Sequence, residues 1–183
     1  MFEILHERPE HRPDIDALLD LSFGPGRFAK TAQRLREGNE AVPDLCYVAF
    51  SEEGGERRMV GSLSFWPIAI GDTPALMLGP LAVEPALRGK GAGLLLMRRG
   101  LEDAKALGWR LVILVGDEPY YSKVGFGPVP AGRMTMPGPV NPQRLLYREL
   151  DLGAFSGVSG AVRILKPEER VSSSPLPRQA SAH

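Results

Sequence analysis

The 183-residue chain is poor in the side chains from which disulfide, redox and metal sites are made. A single cysteine, Cys46, excludes an internal disulfide and any paired-cysteine metal or redox motif. Its neighbours Leu45, Tyr47, Val48 and Ala49 mark a buried strand thiol, not a nucleophile. The three histidines, His6, His11 and His183, are scattered without ligand spacing, so no bound metal is expected. No apolar run approaches the ~18 residues that span a membrane. The first residues, Met1 to Arg8, lack a basic segment followed by an apolar run, so no secretory signal is read there. A cytoplasmic protein without a membrane partner is expected. Excess charge of one sign is also missing: basic and acidic residues number 22 each, which argues against a nucleic-acid partner held by a general basic surface. What remains is ordinary for one globular domain, with 43% hydrophobic and 24% charged residues.

Periodicity and turn residues predict the organisation. Strands are expected at Phe2 to His6, Leu45 to Ser51, Arg58 to Ala69, Ala75 to Val83 and Trp109 to Val115. Two more are expected around Leu145 to Leu150 and Ala161 to Leu165. Helices are predicted at Arg12 to Leu21, Arg27 to Arg36, Gly91 to Leu107 and Glu118 to Val124. In the third of these, Leu94, Met97, Leu101 and Ala104 share one face, with Gly108 at the C-cap. The unbroken apolar run after Trp109 suits a central strand covered on both faces. Residues 1–166 form one domain in this reading. Residues 167–183, rich in serine and proline, form a mobile tail with too little apolar surface to offset its ordering entropy. Alternating strands and helices make the fold class α/β with three layers.

The most informative segment is Leu81-Ala-Val-Glu-Pro-Ala-Leu-Arg-Gly-Lys-Gly-Ala-Gly93, a strand, a proline turn and a basic glycine-rich loop that enters a helix. Amides at a helix N-terminus bind phosphate, aided by the positive end of the helix dipole. Gly89, Gly91 and Gly93 let a ligand approach that backbone, and Arg88 and Lys90 add charge beside it. A nucleotide P-loop would need Ser or Thr after Lys90, where Gly91 stands, so an ATP-dependent kinase is disfavoured. The glycine spacing does not fit a dinucleotide fingerprint. No G-x-S-x-G is present, so an α/β-hydrolase is disfavoured too. The loop reads as a pyrophosphate cradle.

Downstream stands Tyr120-Tyr-Ser-Lys-Val-Gly-Phe126. With Arg88-x-x-Gly91-x-Gly93 before it, and a helix and strand between, the chain resembles the GNAT N-acetyltransferase superfamily from residue 2 to about 165. Members carry an R/Q-x-x-G-x-G/A turn for the coenzyme A pyrophosphate and a downstream Y-x-x-x-G-F element. Ala92 stands where many have a larger aliphatic residue. The resemblance implies a mixed sheet splayed where the fourth and fifth strands part, and acetyl-CoA as acyl donor. Arg88, Gly89, Lys90, Gly91, Ala92 and Gly93 would then hold the coenzyme, with the pantetheine arm pairing to the backbone of Leu81, Ala82 and Val83. It further implies direct attack of a primary amine on the thioester, with Tyr121, four before Gly125, beside the sulfur as acid. Asp117 and a water relayed to solvent are the two candidates for the base. The acceptor is a small-molecule or protein amine. Its pocket would be shaped by residues 22–38, with Phe23, Arg27, Phe28 and Lys30 as wall candidates. A monomer or homodimer is expected, and a non-catalytic acyl-CoA-binding module is the alternative reading.

Overall fold

A computed structural model describes residues 1–173. Strand β1 (Phe2–His6) leads to helix α1 (Arg12–Phe23), then two short 3-10 turns, Pro25–Ala29 and Thr31–Leu35. A meander follows: β2 (Cys46–Glu53), β3 (Glu56–Ile70) and β4 (Thr73–Val83). Helix α2 (Ala92–Ala106), β5 (Leu111–Val115) and α3 (Glu118–Tyr121) come next. The chain then adds β6 (Gly127–Pro128), β7 (Met134–Thr135), β8 (Leu145–Glu149), β9 (Gly160–Ile164) and α4 (Pro167–Ser173).

The sheet runs β1-β2-β3-β4-β5-β8-β6. Its neighbours are antiparallel except β4 and β5, which pair in parallel. Alternating side chains divide each central strand between two cores. In β4, Leu76 and Leu78 face one core while Ala75 and Met77 face the other. In β5, Val112 and Leu114 are set against Leu111 and Ile113 in the same way. Helix α2 covers the first face through Leu96, Met97, Leu101 and Ala104. Full burial of each of the larger side chains is worth about 1.5–3 kcal/mol. Gly100 sits against the rings of Phe65 and Tyr47, so close that a Cβ there would lie 2.8 Å from Phe65 Cζ. Helix α1 packs Ile15, Leu18 and Leu19 on Val48 and Ala82 of the opposite face. The result is the expected three-layer α/β fold with a mixed sheet.

Three local expectations change. The helix predicted at Arg27 to Arg36 is two 3-10 turns broken at Lys30, whose backbone is extended at φ −71°, ψ 146°. Tertiary bonds override the local preference: Thr31 Oγ1 donates to the Pro139 carbonyl at 2.7 Å, and Arg34 donates to the Pro137 carbonyl. Leu94 is only partly buried, because the first turn of α2 borders an open cleft. Residues 167–173, placed in a mobile tail, form α4, where Glu169 meets Arg163 at 2.8 Å and Arg170 donates to Asn39 Oδ1 at 2.7 Å. The remainder of that tail lies outside the described residues. Cys46 is buried, donates to the Val42 carbonyl at 3.3 Å, and has its thiol pushed up to about 12, chiefly by burial. No helix among the described residues is long and apolar enough to cross a membrane.

Candidate active site: a cleft between parting strands

Strands β4 and β5 stay together for only two pairs, Leu76 with Val112 and Met77 with Ile113. Beyond them the strands diverge. Against β3, Gly79 and Pro80 of β4 stand opposite the single residue Ser64, a bulge that bends the strand at the point of parting. Ser64 Oγ donates to the Gly79 carbonyl at 3.2 Å and accepts from Trp66 Nε1 at 3.1 Å, which holds the bulge. Past it, the Glu84 amide donates to the Val60 carbonyl at 2.8 Å. Alternation along an antiparallel ladder then turns the main-chain groups of Ala82 toward β3. Those of Leu81 and Val83 turn toward the gap, where β5 offers no partner.

The gap opens into a cleft of about 1070 Å³. At one end lies the N-terminus of α2. No side chain caps it, and the first amides of a helix have no partner within it. Gly91 at the N-cap has φ 98°, a left-handed conformation that a residue with a Cβ adopts only under strain. Gly93, the second residue of α2, touches the Tyr120 hydroxyl; a methyl group there would overlap it. Leu81, Ala82, Val83, Arg88, Gly89, Gly91, Ala92 and Gly93 all border the cleft, whereas Lys90 is exposed and does not.

Helix α3 brings two tyrosines to the floor. The carbonyl of Asp117 accepts the amides of both Tyr120 and Tyr121 at 3.1 Å, and the two rings meet edge to face at 5.0 Å. The Tyr121 ring packs against Gly116, just past the end of β5, where any larger residue would displace it. Burial above all, then the neighbouring Tyr120 and Asp117, pushes the Tyr121 hydroxyl up to about 12. It is therefore protonated throughout the neutral range. Burial raises Tyr120 as well. Asp117, four-fifths exposed, pairs with Arg144 at 3.3 Å. The other cleft carboxylate, Glu7, pairs with Arg12 at 3.2 Å. Seven basic side chains border the cleft against these two acids, so it attracts anions although the whole chain is neutral. No group of His, Cys, Asp and Glu among the described residues is placed to hold a metal.

The far end is made by α1, the two 3-10 turns and the 139–141 loop. Of the predicted wall residues, Phe23, Arg27 and Lys30 border the cleft and Phe28 does not. Arg27 covers the ring of Phe28 at 4.0 Å, and Lys30 covers Phe23 at 4.9 Å. Arg36, Ser22, Tyr120 and Arg144 also border the cleft, and nothing in the local sequence marks Arg36, Ser22 or Arg144 individually. Tyr120 alone had a signal, its place beside Tyr121.

A family model described as the acetyltransferase (GNAT) family matches residues 12–126. The uncharacterized N-acetyltransferase YhbS of Escherichia coli (strain K12) is 31% identical over 158 residues, covering 85% of this chain and 92% of that protein. The uncharacterized N-acetyltransferase YjhQ of the same strain is 32% identical over 130 residues, 69% of each chain. The crystal structure of the GNAT family N-acetyltransferase YhbS from Escherichia coli, in complex with CoA, aligns with TM-score 0.75 at 29% identity. It covers 90% of this chain and 89% of that one. A GNAT family acetyltransferase from Brucella melitensis in complex with acetyl-CoA aligns with TM-score 0.55 at 28% identity, covering 85% of this chain and 99% of its own. By its sequence and by the cleft it builds, the chain belongs to the acetyltransferase (GNAT) family.

Proposed function

We propose that the protein transfers the acetyl group of acetyl-CoA to a primary amine by direct attack in a ternary complex. The observation that carries this reading is the meeting, in one cleft, of an uncapped glycine-lined helix N-terminus, unpaired β4 main chain and the Tyr121 ring. The cleft volume is at the upper end for ligand sites, room for a coenzyme arm and an acceptor together. The pyrophosphate sits on the amides of Gly91 to Leu94, with Arg88 beside them. The pantetheine arm extends along β4 and pairs with Leu81 and Val83. Ala82 serves through its place in the strand, because its own main chain is turned to β3.

In the reaction, the amine nitrogen attacks the thioester carbonyl carbon and a tetrahedral oxyanion forms. Main-chain N–H groups of β4 that face the gap stabilise it, and one such donor is commonly worth about 3–4 kcal/mol. The C–S bond then breaks and Tyr121 hydrogen-bonds or protonates the leaving sulfur. Complete transfer to a free thiolate is uphill from a hydroxyl at about 12, so the proton moves as the bond breaks. Both cleft carboxylates are engaged by arginines. The amine proton therefore leaves through water to solvent, with Asp117 as the alternative acceptor.

The test is a calorimetric titration with acetyl-CoA, using ATP and NAD as controls, followed by thiol release on an amine panel. Selective acetyl-CoA binding with turnover is expected. Binding without turnover on any amine would leave an acyl-CoA-binding module, and no binding would overturn the proposal.

A further inference from the structure

Arg36 is the one basic side chain of the cleft that is both buried at its Nε and without a hydrogen bond or ion pair among the described residues. The turn that carries it is fixed from several sides. Leu35 is sunk in the core at 2% exposure. Asn39 Nδ2 donates to the Leu35 carbonyl at 3.0 Å and to the Pro67 carbonyl at 2.9 Å. Thr31 and Arg34 tie the preceding turn to the 137–139 segment. The backbone from which Arg36 projects is therefore held in place. Arg36 Nη2 lies against Gly79, 3.3 Å from where a Cβ would stand, at the mouth of the β4 bulge.

Among the described residues no carboxylate compensates this charge. Its charged neighbour is Arg27, itself paired with Asp20 at 3.0 Å. Burial, and secondarily Arg27, bring Arg36 down to about 10, so it is still a cation at neutral pH. A largely desolvated cation without a partner is costly and is retained where a ligand supplies the counter-charge. Ser22 Oγ is the other buried side-chain polar atom without a partner among the described residues, and it borders the same cleft. Both residues therefore border one space.

We infer that Arg36 is the acceptor-recognition residue, and that the acceptor is a small primary amine carrying an oxyanion, carboxylate or phosphonate, a few bonds from its nitrogen. The inference rests on the acetyltransferase reading. Gly79 is two residues before Leu81, at most ~7 Å along the strand, so the amine at the thioester and the anion at Arg36 are close together. A planar guanidinium binds either oxyanion in two-pronged fashion. A long polyamine presents only cations to this end and is rejected by Arg36 and Arg27.

The test uses product analogues, so no acceptor need be known. CoA-saturated protein is titrated calorimetrically with N-acetyl amino acids, with N-acetyl-2-aminoethylphosphonate, and with the matching uncharged amides. Wild type is expected to bind an anionic member about 100-fold more tightly than its neutral counterpart, and the two anion arms identify which oxyanion is preferred. Arg36→Met brings that ratio close to one, Arg36→Lys restores part of it, and acetyl-CoA affinity stays at the wild-type value. A wild-type ratio near one, or an Arg36→Met protein that keeps the preference, overturns the inference. Thermal melting verifies that each variant is folded. Acetyl-CoA is titrated in parallel: if it fails to bind, the enzymatic reading fails. The same panel on the free protein then still decides whether Arg36 selects anions.

Discussion

At one end the cleft is made of a single continuous segment, Leu81 to Gly93, in which strand, turn, glycines and helix start follow one another. At the other end α1 with the two 3-10 turns that follow it, the β4 bulge and the 139–141 loop converge from three separate stretches of chain. The first end presents backbone amides, whose chemistry is the same whatever the side chains. The second presents side chains, Arg36 and Ser22, whose availability depends on what has or has not packed against them. A cosubstrate shared across a family suits a backbone site. Acceptor choice suits side chains on loosely regular segments that change without disturbing the sheet.

The sharpest way to break this comparison is at the floor between the two ends. Tyr121→Phe is expected to slow turnover by about 10²-fold or more while acetyl-CoA affinity stays near normal. Steady-state kinetics beside calorimetry reads both. With its hydroxyl at about 12, Tyr121 stays protonated as pH rises from ~8 to ~10, so no loss of kcat over that range traces to it. Unchanged turnover in the variant would reassign the acid, with Tyr120 the next residue to test.

Next in size is Asn39→Ala. It strips donors from the carbonyls of Leu35 and Pro67 and removes one acceptor of Arg170. A loss of about 1–3 kcal/mol is expected, seen as a lower Tm in calorimetry. Anion selectivity should fall while acetyl-CoA affinity holds. Equal damage to coenzyme binding would mean that the two ends are not separate.

Arg88→Ala should weaken acetyl-CoA about 5- to 10-fold, with the difference shrinking at high salt and Tm unmoved, because Arg88 is exposed. It is a cleaner probe than Gly91, where any substitution also strains a left-handed backbone. The smallest effect is expected at Glu169→Gln. Arg163, and then the Lys166 amide, hold this carboxyl down from its ordinary 4.5 to about 2. A lowered carboxyl contributes stability above its unfolded value and loses it as pH falls toward the folded one. The wild-type advantage in Tm over the variant should therefore be present above pH ~4.5 and fade toward pH ~2. An advantage that persists at the acid end would assign it to packing.

Much of the fold was legible because its signals are local. The apolar run at β5, the glycine-punctuated meander and the amphipathic α2 each carry their own period. The tyrosine pair was legible through its spacing to Gly125. Residues 25–35 were not, since their helix-like composition yields to bonds from Thr31 and Arg34 to a loop over a hundred residues away. Residues 167–173 misled in the other direction: a polar stretch that reads as tail is ordered by charged partners, not by buried apolar surface.

By itself, then, the sequence determined the strands of the central meander, the glycine-lined start of α2 and the presence of Tyr121 four residues before Gly125. These follow from period, turn chemistry and backbone freedom, which act within a few residues. Only the tertiary structure decided that β4 and β5 part after two pairs, that Tyr121 lies against Gly116, and that Arg36 reaches Gly79 with its Nε buried and no counter-charge among the described residues. Burial and charge compensation are sums over neighbours from distant parts of the chain, and those neighbours exist only once it has folded.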